Sequence, residues 1–240
     1  MQRKKAMSRA APMSAAATDA VLCRRSRAER LRGLYAVTPE LDDTTALLAK
    51  VAAALEGGAT AIQYRNKGAT ASLRQTQAFA LARLHAARGA LYLVNDDPAL
   101  AQSVGADGVH LGEDDASIMS ARELLGPDRI IGVSCYNDFE RARAAVEAGA
   151  DYVAFGSFFS SSTKPAARRA DLALLQRAQS LGVPVVAIGG IDADNARLLI
   201  DAGADAVAVV SAVFMHEDSA DVRAAAEAIV ASIAASVGAQ

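Results

Sequence analysis

Four segments of the chain begin alike: GATAIQ at 58–63, GADGVH at 105–110, GADYVA at 149–154 and GADAVA at 203–208. Each follows a helical stretch and opens a short apolar run, so each reads as a helix-to-strand joint. Gly tolerates the positive φ needed on leaving a helix, and the small Ala lets the backbone pack closely there. Between the copies lie GLYAVT (33–38), ALYLVN (90–95), RIIGVS (129–134) and VPVVAI (183–188). That makes eight strand-length runs, with the repeats on strands two, four, six and eight. Helical patterns separate them, among them TTALLAKVAAALEGG, DFERARAAVEAG, DNARLLIDAG and a last one near 218–235. Strands alternating with helices build a parallel sheet. Eight such units over about 205 residues predict a single (β/α)8 TIM barrel. The rival is a doubly wound open sheet, whose G-x-G-x-x-G phosphate turn is absent after the first strand.

The chain has 240 residues, 52% of them hydrophobic, enough for a core of that size. A net charge of −2, no Trp and 5% aromatic residues leave neither the charge nor the stacking platforms that nucleic acid requires. No apolar run approaches the roughly 20 residues of a membrane span. Cys23 and Cys135 form no metal or redox spacing, and a cysteine-poor chain fits a reducing cytoplasm. Residues 1–32 stand apart: nine Lys and Arg face only Asp19 and Glu29. They are expected to be a disordered extension before a barrel spanning 33–240. A transit segment, or a start codon misplaced upstream of Met7 or Met13, would have a similar composition. A secretory signal would need an apolar core of about 7–15 residues after the basic start, and there is none. Removing residues 1–30 is therefore expected to leave turnover unchanged.

In such a barrel, chemistry sits at the C-terminal ends of the strands. After strand two, Gln63, Arg65 and Lys67 alternate onto one side of an extended segment, a pattern that suits an anionic ligand. A solvated basic loop would look the same. After strand three comes Asn95-Asp96-Asp97-Pro98; Asp97 reads as a helix cap with Pro at the first helical position. Asp96, with an acid from Glu113-Asp114-Asp115 after strand four, reads as a hard-cation site, because Mg²⁺ takes one or two carboxylates plus substrate phosphate. Ser134 after strand five is a hydroxyl donor for an anion, and Asn137 reads as the next helix cap. The hydroxyl-rich loop Ser160–Lys164 ends in a cation, and Gly189-Gly190 with Val210-Ser211 offer backbone N–H groups where barrels bind phosphate. His85 and His216 read as surface residues in helical regions, and His110, flanked by Val109 and Leu111, as a hydrogen-bonded structural histidine. The inventory is a diphosphate with Mg²⁺ on loops two to six, a monophosphate on loops seven and eight, and no nucleophile. Electrostatic stabilisation of a departing diphosphate would then be the main catalytic device.

At these residues the sequence resembles the thiamine-phosphate synthase family over roughly 33–235. The resemblance is carried by Gln63-x-Arg65-x-Lys67, Asn95-Asp96-Asp97, GADGVHLGEDD, IIGVS at 130–134, Ser-x-Thr-Lys ending at Lys164, VVAIGGI at 185–191 and VVSA at 209–212. It implies transfer of a pyrimidine-methyl group from 4-amino-2-methyl-5-hydroxymethylpyrimidine diphosphate to a phosphoethyl thiazole, giving thiamine monophosphate and pyrophosphate. It further implies Asp96 and Asp115 as Mg²⁺ ligands, and Arg65, Lys67, Asn95, Ser134 and Lys164 as diphosphate contacts. Arg65, Lys67, Ser134 and Lys164 would be the catalytic charge neutralisers. Gln63 would contact the pyrimidine, while Ser161, Thr163 and amides near Gly189, Gly190, Val210 and Ser211 would serve the thiazole phosphate. The partners are these small molecules, and a homo-oligomer is left open. The chain departs from the family pattern at Asn66 (commonly acidic), Glu113 (commonly Gln), Tyr136 (commonly His) and the loop from Ser160 to Lys164, which lacks a Pro. Close rivals are a thiazole tautomerase-like barrel, which needs no diphosphate, and a non-catalytic phosphate-binding barrel.

Overall fold

Each of the eight predicted runs is a strand. The computed structural model describes residues 22, 24, 26–86, 88–113, 115–160 and 169–234. The strands are β1 (Gly33–Val37), β2 (Ala61–Tyr64), β3 (Leu91–Asn95), β4 (Gly108–Leu111), β5 (Ile130–Tyr136), β6 (Tyr152–Phe155), β7 (Val185–Ile188) and β8 (Ala206–Val209). All pair in parallel and in sequence order, and β1 pairs with β8 to close the barrel. The intervening helices are α1 (Thr44–Glu56), α2 (Ala71–Ala86), α3 (Pro98–Ser103), α4 (Ile118–Leu125), α5 (Phe139–Glu147), α6 (Leu172–Ala178) and α7 (Ala196–Asp201). After β8 the chain turns at once into the four-residue α8 (Ser211–Phe214), and α9 (Ser219–Ala234) follows.

Strand alternation sorts the side chains into two cores. Outward residues such as Leu34, Ile62, Tyr92, Val109, Ile131, Val153, Val185 and Val207 pack against the helices. Inward residues Tyr35, Val37, Ala61, Leu91, Leu93, Ile130, Tyr152, Ala154, Val186, Ala206 and Ala208 fill the barrel. Large and small neighbours interlock. Tyr35 lies between Ala61 and Ala208, and Tyr152 lies beside Gly132. A Cβ at Gly132 would sit 1.9 Å from the Tyr152 ring, so any other residue there forces the ring to move.

The repeat glycines Gly58, Gly105, Gly149 and Gly203 all have positive φ, as the helix-to-strand joint requires. The third motif residue has a separate task. Asp107 Oδ2 accepts from Tyr92 N at 2.9 Å, Asp151 Oδ2 from Ile131 N at 2.8 Å, and Asp205 Oδ2 from Val185 N at 2.9 Å. Each carboxylate thus holds the start of the preceding strand and pins its register. In the first copy Thr60 Oγ1 donates to Leu34 O at 3.1 Å instead.

The described part of the segment expected to be a disordered extension packs against this end of the barrel. Residues 22, 24 and 26–28 are helical, and Ala28 and Leu31 are 2% and 1% exposed within the inner core. Its arginines meet the motif aspartates: Arg24 Nε lies 2.5 Å from Asp151 Oδ1, Arg27 Nε 3.8 Å from Asp107 Oδ1, and Arg32 Nη1 3.1 Å from Asp205 Oδ1. Arg24, Arg27 and Arg30 also donate to the carbonyls of Pro127, Asp128 and Gly89. Composition reads as disorder because the segment is rich in Ala, Ser and Arg and poor in strand formers. Three acids brought from distant repeats supply what composition cannot show.

Helix caps come from Asp and Ser residues of the βα loops. Asp43, Asp97, Ser117, Asp138 and Asp171 accept from first-turn N–H groups of α1, α3, α4, α5 and α6, each worth about 1 kcal/mol. The α5 cap is therefore Asp138 rather than Asn137, because the extended backbone at φ −111° and ψ 108° falls one residue later. His216 lies beyond α8 rather than within a helix. His85, near the end of α2, is half-buried against Ala90 O and Asp107.

Deleting residues 1–30 should lower stability, whatever it does to turnover. It leaves Asp107 and Asp151 short of a cation each, a loss of about 3 kcal/mol for a broken buried pair. Calorimetry should show a Tm lower by roughly 6–12 °C. Gly132→Ala should cost about 1–3 kcal/mol by overpacking against Tyr152, and urea denaturation measures it directly.

Candidate active site

At the C-terminal end the barrel interior turns from apolar to polar. Gln63, at 5% exposure, and His110, at 7%, are inward residues of the upper layer. Tyr35 Oη donates to Gln63 Oε1 at 2.8 Å and lies 3.0 Å from Tyr152 Oη. Tyr152 Oη lies 2.8 Å from His110 Nδ1, and His110 Nε2 lies 2.9 Å from Ser134 Oγ. Gln63 Nε2 donates to Asn95 Oδ1 at 2.6 Å. Six side chains from six strands are joined by one line of hydrogen bonds across the barrel. Burial pushes the Tyr35 and Tyr152 phenols above their ordinary range and the His110 imidazole down to about 4, partly opposed by Asp96. The ring is neutral at pH 7.

Above this layer stand the charged groups. Beyond β2 the chain continues to alternate. Arg65 and Lys67 lie on the Gln63 side, whereas Tyr64 Oη and Asn66 Nδ2 turn outward to Gln77 Oε1 at 2.9 and 3.2 Å. Asn66 also donates to Leu41 O and is buried, so this departure from the family pattern lies off the site. Thr38, after β1, accepts from Arg65 N and donates to Arg65 O, fixing that backbone. Arg65 Nη1 lies 2.6 Å from Glu40 Oε1, and Lys67 Nζ 2.7 Å from Asp96 Oδ2.

Asp96 adopts φ +64°, a left-handed conformation uncommon outside Gly, Asn and Asp. Its N–H donates to His110 O at 2.8 Å, which ties the end of β3 to β4. Asp97 swings the other way and accepts from Leu100 N as the α3 cap. Asp115 Oδ2 accepts from Gly112 N at 2.5 Å. Asp96 and Asp115 are hydrogen-bonded to each other. Burial raises Asp96, but hydrogen bonds from Asp115 and Lys67 outweigh it and hold the carboxyl below its usual range. Burial and then Asp96 push Asp115 upward. The two carboxyls side by side form a hard-oxygen pair that suits a divalent cation. Among the described residues no cluster of three or more His, Cys, Asp or Glu offers a competing metal site.

Around the rim, Glu113 is paired with Arg141 at 3.4 Å, and Arg141 Nε donates to Ser134 O at 2.9 Å. The extra acid after strand four is thus matched by a cation. Tyr136 is exposed with Arg141 over its ring. Gly189 and Gly190 both have positive φ. A Cβ on either would lie 2.3 Å from Ser157 Oγ or 2.5 Å from Ser160 O, so the loop after β6 rests directly on this glycine pair. Val210 and Ser211 form the turn into α8. Ser161, Thr163 and Lys164 lie outside the described residues.

Thus Gln63, Arg65, Lys67, Asn95, Asp96, Asp115 and Ser134 converge on one mouth. Sequence reasoning missed Tyr35, Tyr152, Thr38 and Glu40. The tyrosines read as core aromatics within strands. Thr38 and Glu40 were legible as the loop after strand one, the same signal that located the others.

The family of thiamine monophosphate synthases matches residues 34–213. The thiamine-phosphate synthase of Thiobacillus denitrificans is 58% identical over 195 residues, which cover 81% of this chain and 91% of that protein. The thiamine-phosphate synthase of Chromobacterium violaceum is 55% identical over 191 residues, covering 80% and 92%. The structure of thiamine phosphate pyrophosphorylase from Pyrococcus furiosus superposes with a TM-score of 0.77 at 39% identity, covering 88% of this chain and 99% of that one. With its eight-stranded barrel and its polar mouth, the chain belongs to the thiamine-phosphate synthase family.

Proposed function

We propose that the mouth joins 4-amino-2-methyl-5-hydroxymethylpyrimidine diphosphate to 4-methyl-5-(2-phosphoethyl)thiazole, or its carboxylated form. The chain is a transferase of thiamine biosynthesis, and its product is thiamine monophosphate, with pyrophosphate released. The observation that carries the reading is the convergence of an amide, a hydroxyl, two cations and an adjacent carboxyl pair at one strand-end mouth, in a chain with these relatives.

Asp96 and Asp115 would hold Mg²⁺. When bound, the ion supplies positive charge to the diphosphate oxygens. Arg65, Lys67, Asn95, Ser134 and Lys164 bind the diphosphate and take up its growing negative charge as the C–O bond breaks. Gln63 orients the pyrimidine. No described side chain at the mouth is placed as a nucleophile, which suits capture of a resonance-stabilised pyrimidine-methyl cation by the thiazole nitrogen. The amides near Gly189, Gly190, Val210 and Ser211, with Ser161 and Thr163, would receive the thiazole phosphate, where barrels of this class bind phosphate. No helix among the described residues is long and apolar enough to cross a membrane, and the partners on this reading are small molecules.

The purified protein given both substrates should form thiamine monophosphate and pyrophosphate in equal amounts, and only with Mg²⁺. Metal-independent change in the thiazole alone would favour a tautomerase-like barrel, and phosphate binding without turnover a non-catalytic one. Asp96→Asn should lower turnover at limiting Mg²⁺ by at least about 100-fold with an unchanged Tm, because Asn tolerates the left-handed backbone at φ +64°. Unchanged metal dependence in that variant would remove Asp96 from the ligand set.

A further inference from the structure

The buried line of side chains has a direction. Tyr35 gives its only hydroxyl hydrogen to Gln63 Oε1, so between the two phenols the donor must be Tyr152. With its hydrogen spent on Tyr35, Tyr152 can only accept from His110 Nδ1, which must therefore carry the ring hydrogen. The neutral ring then has a lone pair on Nε2, and Ser134 Oγ must donate to it. At the other end Gln63 Nε2 donates to Asn95. In this arrangement Ser134 has no hydrogen left for an anion.

The same atoms support one other fully satisfied arrangement. If Ser134 donates into the mouth, a lone pair on His110 Nε2 would face a lone pair on Oγ. Satisfaction then requires hydrogen on Nε2, with Tyr152 donating to Nδ1, Tyr35 donating to Tyr152, and the Gln63 carboxamide turned to donate to Tyr35. Asn95 follows by donating to Gln63 Oε1. A mixed state leaves a buried donor or acceptor unpaired, which costs about 1–3 kcal/mol, so the line behaves as a unit.

We propose that Asn95, Gln63, Tyr35, Tyr152, His110 and Ser134 form a two-state hydrogen-bond relay, and that an anion accepting from Ser134 reverses it. The reversal moves the His110 hydrogen from Nδ1 to Nε2 and turns the Gln63 carboxamide across the barrel. It rests on the proposed diphosphate contact of Ser134. Tyr35, Tyr152 and His110 are positioning residues that act through Ser134 and Gln63, coupling the diphosphate end of the mouth to the pyrimidine end. Hydrogens balance: the hydroxyls and amides rotate, one proton leaves Nδ1 for water, and one from water is taken up at Nε2, so the ring stays neutral throughout. The occupants of the line are closely held. Tyr152 stacks on His110 with ring centroids 5.5 Å apart and meets the Tyr35 ring edge-on at 6.3 Å.

The test is ¹⁵N NMR of histidine-labelled full-length protein, which has only His85, His110 and His216 to assign. Ligand-free wild type should show His110 as the Nδ1–H tautomer, and addition of Mg²⁺ with pyrophosphate should convert it to Nε2–H. Ligand-free Tyr35→Phe should already be Nε2–H, because Tyr152 then has no acceptor except Nδ1. A wild-type ring that is Nε2–H without ligand, or a Tyr35→Phe ring that stays Nδ1–H, overturns the relay whatever the ligand does. Calorimetric binding of pyrophosphate with no change of tautomer overturns the coupling. Absence of binding heat overturns the diphosphate reading of the mouth and the anion-driven reversal with it, while the Tyr35→Phe result still decides whether the hydroxyls set the ring.

Discussion

Three carboxylates at the closed end of the barrel fix where everything at the open end lies. Asp107, Asp151 and Asp205 each accept from the first or second N–H of the preceding strand. A strand slipped by one residue would turn its inward side chains out. The polar layer needs Asn95 opposite His110, His110 opposite Gly132, and Gly132 opposite Tyr152. Those pairings follow once the strand starts are held. The carboxylates are in turn neutralised by Arg24, Arg27 and Arg32, and Arg122 Nη2 adds a second contact to Asp151 at 2.6 Å. Asp151 is almost wholly buried, so losing these cations would strand a charge in low dielectric.

The barrel also solves a solvation problem. Placing two phenols, an imidazole and two carboxamides inside a sheet would destabilise the fold if any were unpaired. Here each is hydrogen-bonded to the next, and only the two ends, Asn95 and Ser134, reach the half-exposed rim. Below them the interior is aliphatic. The polar layer therefore has access to the mouth and none to the closed end.

The architecture was legible because strand and helix periods alternate cleanly and the Gly-Ala motif marks every second joint. Much of the polar mouth proposed as the site was legible too, since a barrel restricts attention to the residues after each strand. What escaped has physical reasons. Tyr35 and Tyr152 sit mid-strand, where an aromatic is indistinguishable from packing; only the small residues across from them, Ala61, Ala208 and Gly132, make room for a phenol to cross the barrel. Asn137 and Asp138 are equally good caps by chemistry, and backbone angles alone choose between them. Asn66 looked like a change at the site, yet strand alternation carries it outward to Gln77. Arg24, Arg27 and Arg32 looked like solvated charge because their carboxylate partners are more than seventy residues away.

The mouth holds its cations in reserve. Arg65 is paired with Glu40 and Lys67 with Asp96, so without ligand the cleft has little excess positive charge. These pairs are partly solvated, Lys67 at 56% and Glu40 at 44% side-chain exposure, and contacts of that kind are worth about 1 kcal/mol or less. On the proposed reading a diphosphate would offer the same cations several oxygens, so exchanging partners would be cheap. Releasing Lys67 leaves Asp96 and Asp115 facing each other with less compensation, which strengthens the demand for a second cation beside them. On that reading anion and cation binding at this mouth would be coupled by charge: each would remove what opposes the other, and neither would be as favourable alone.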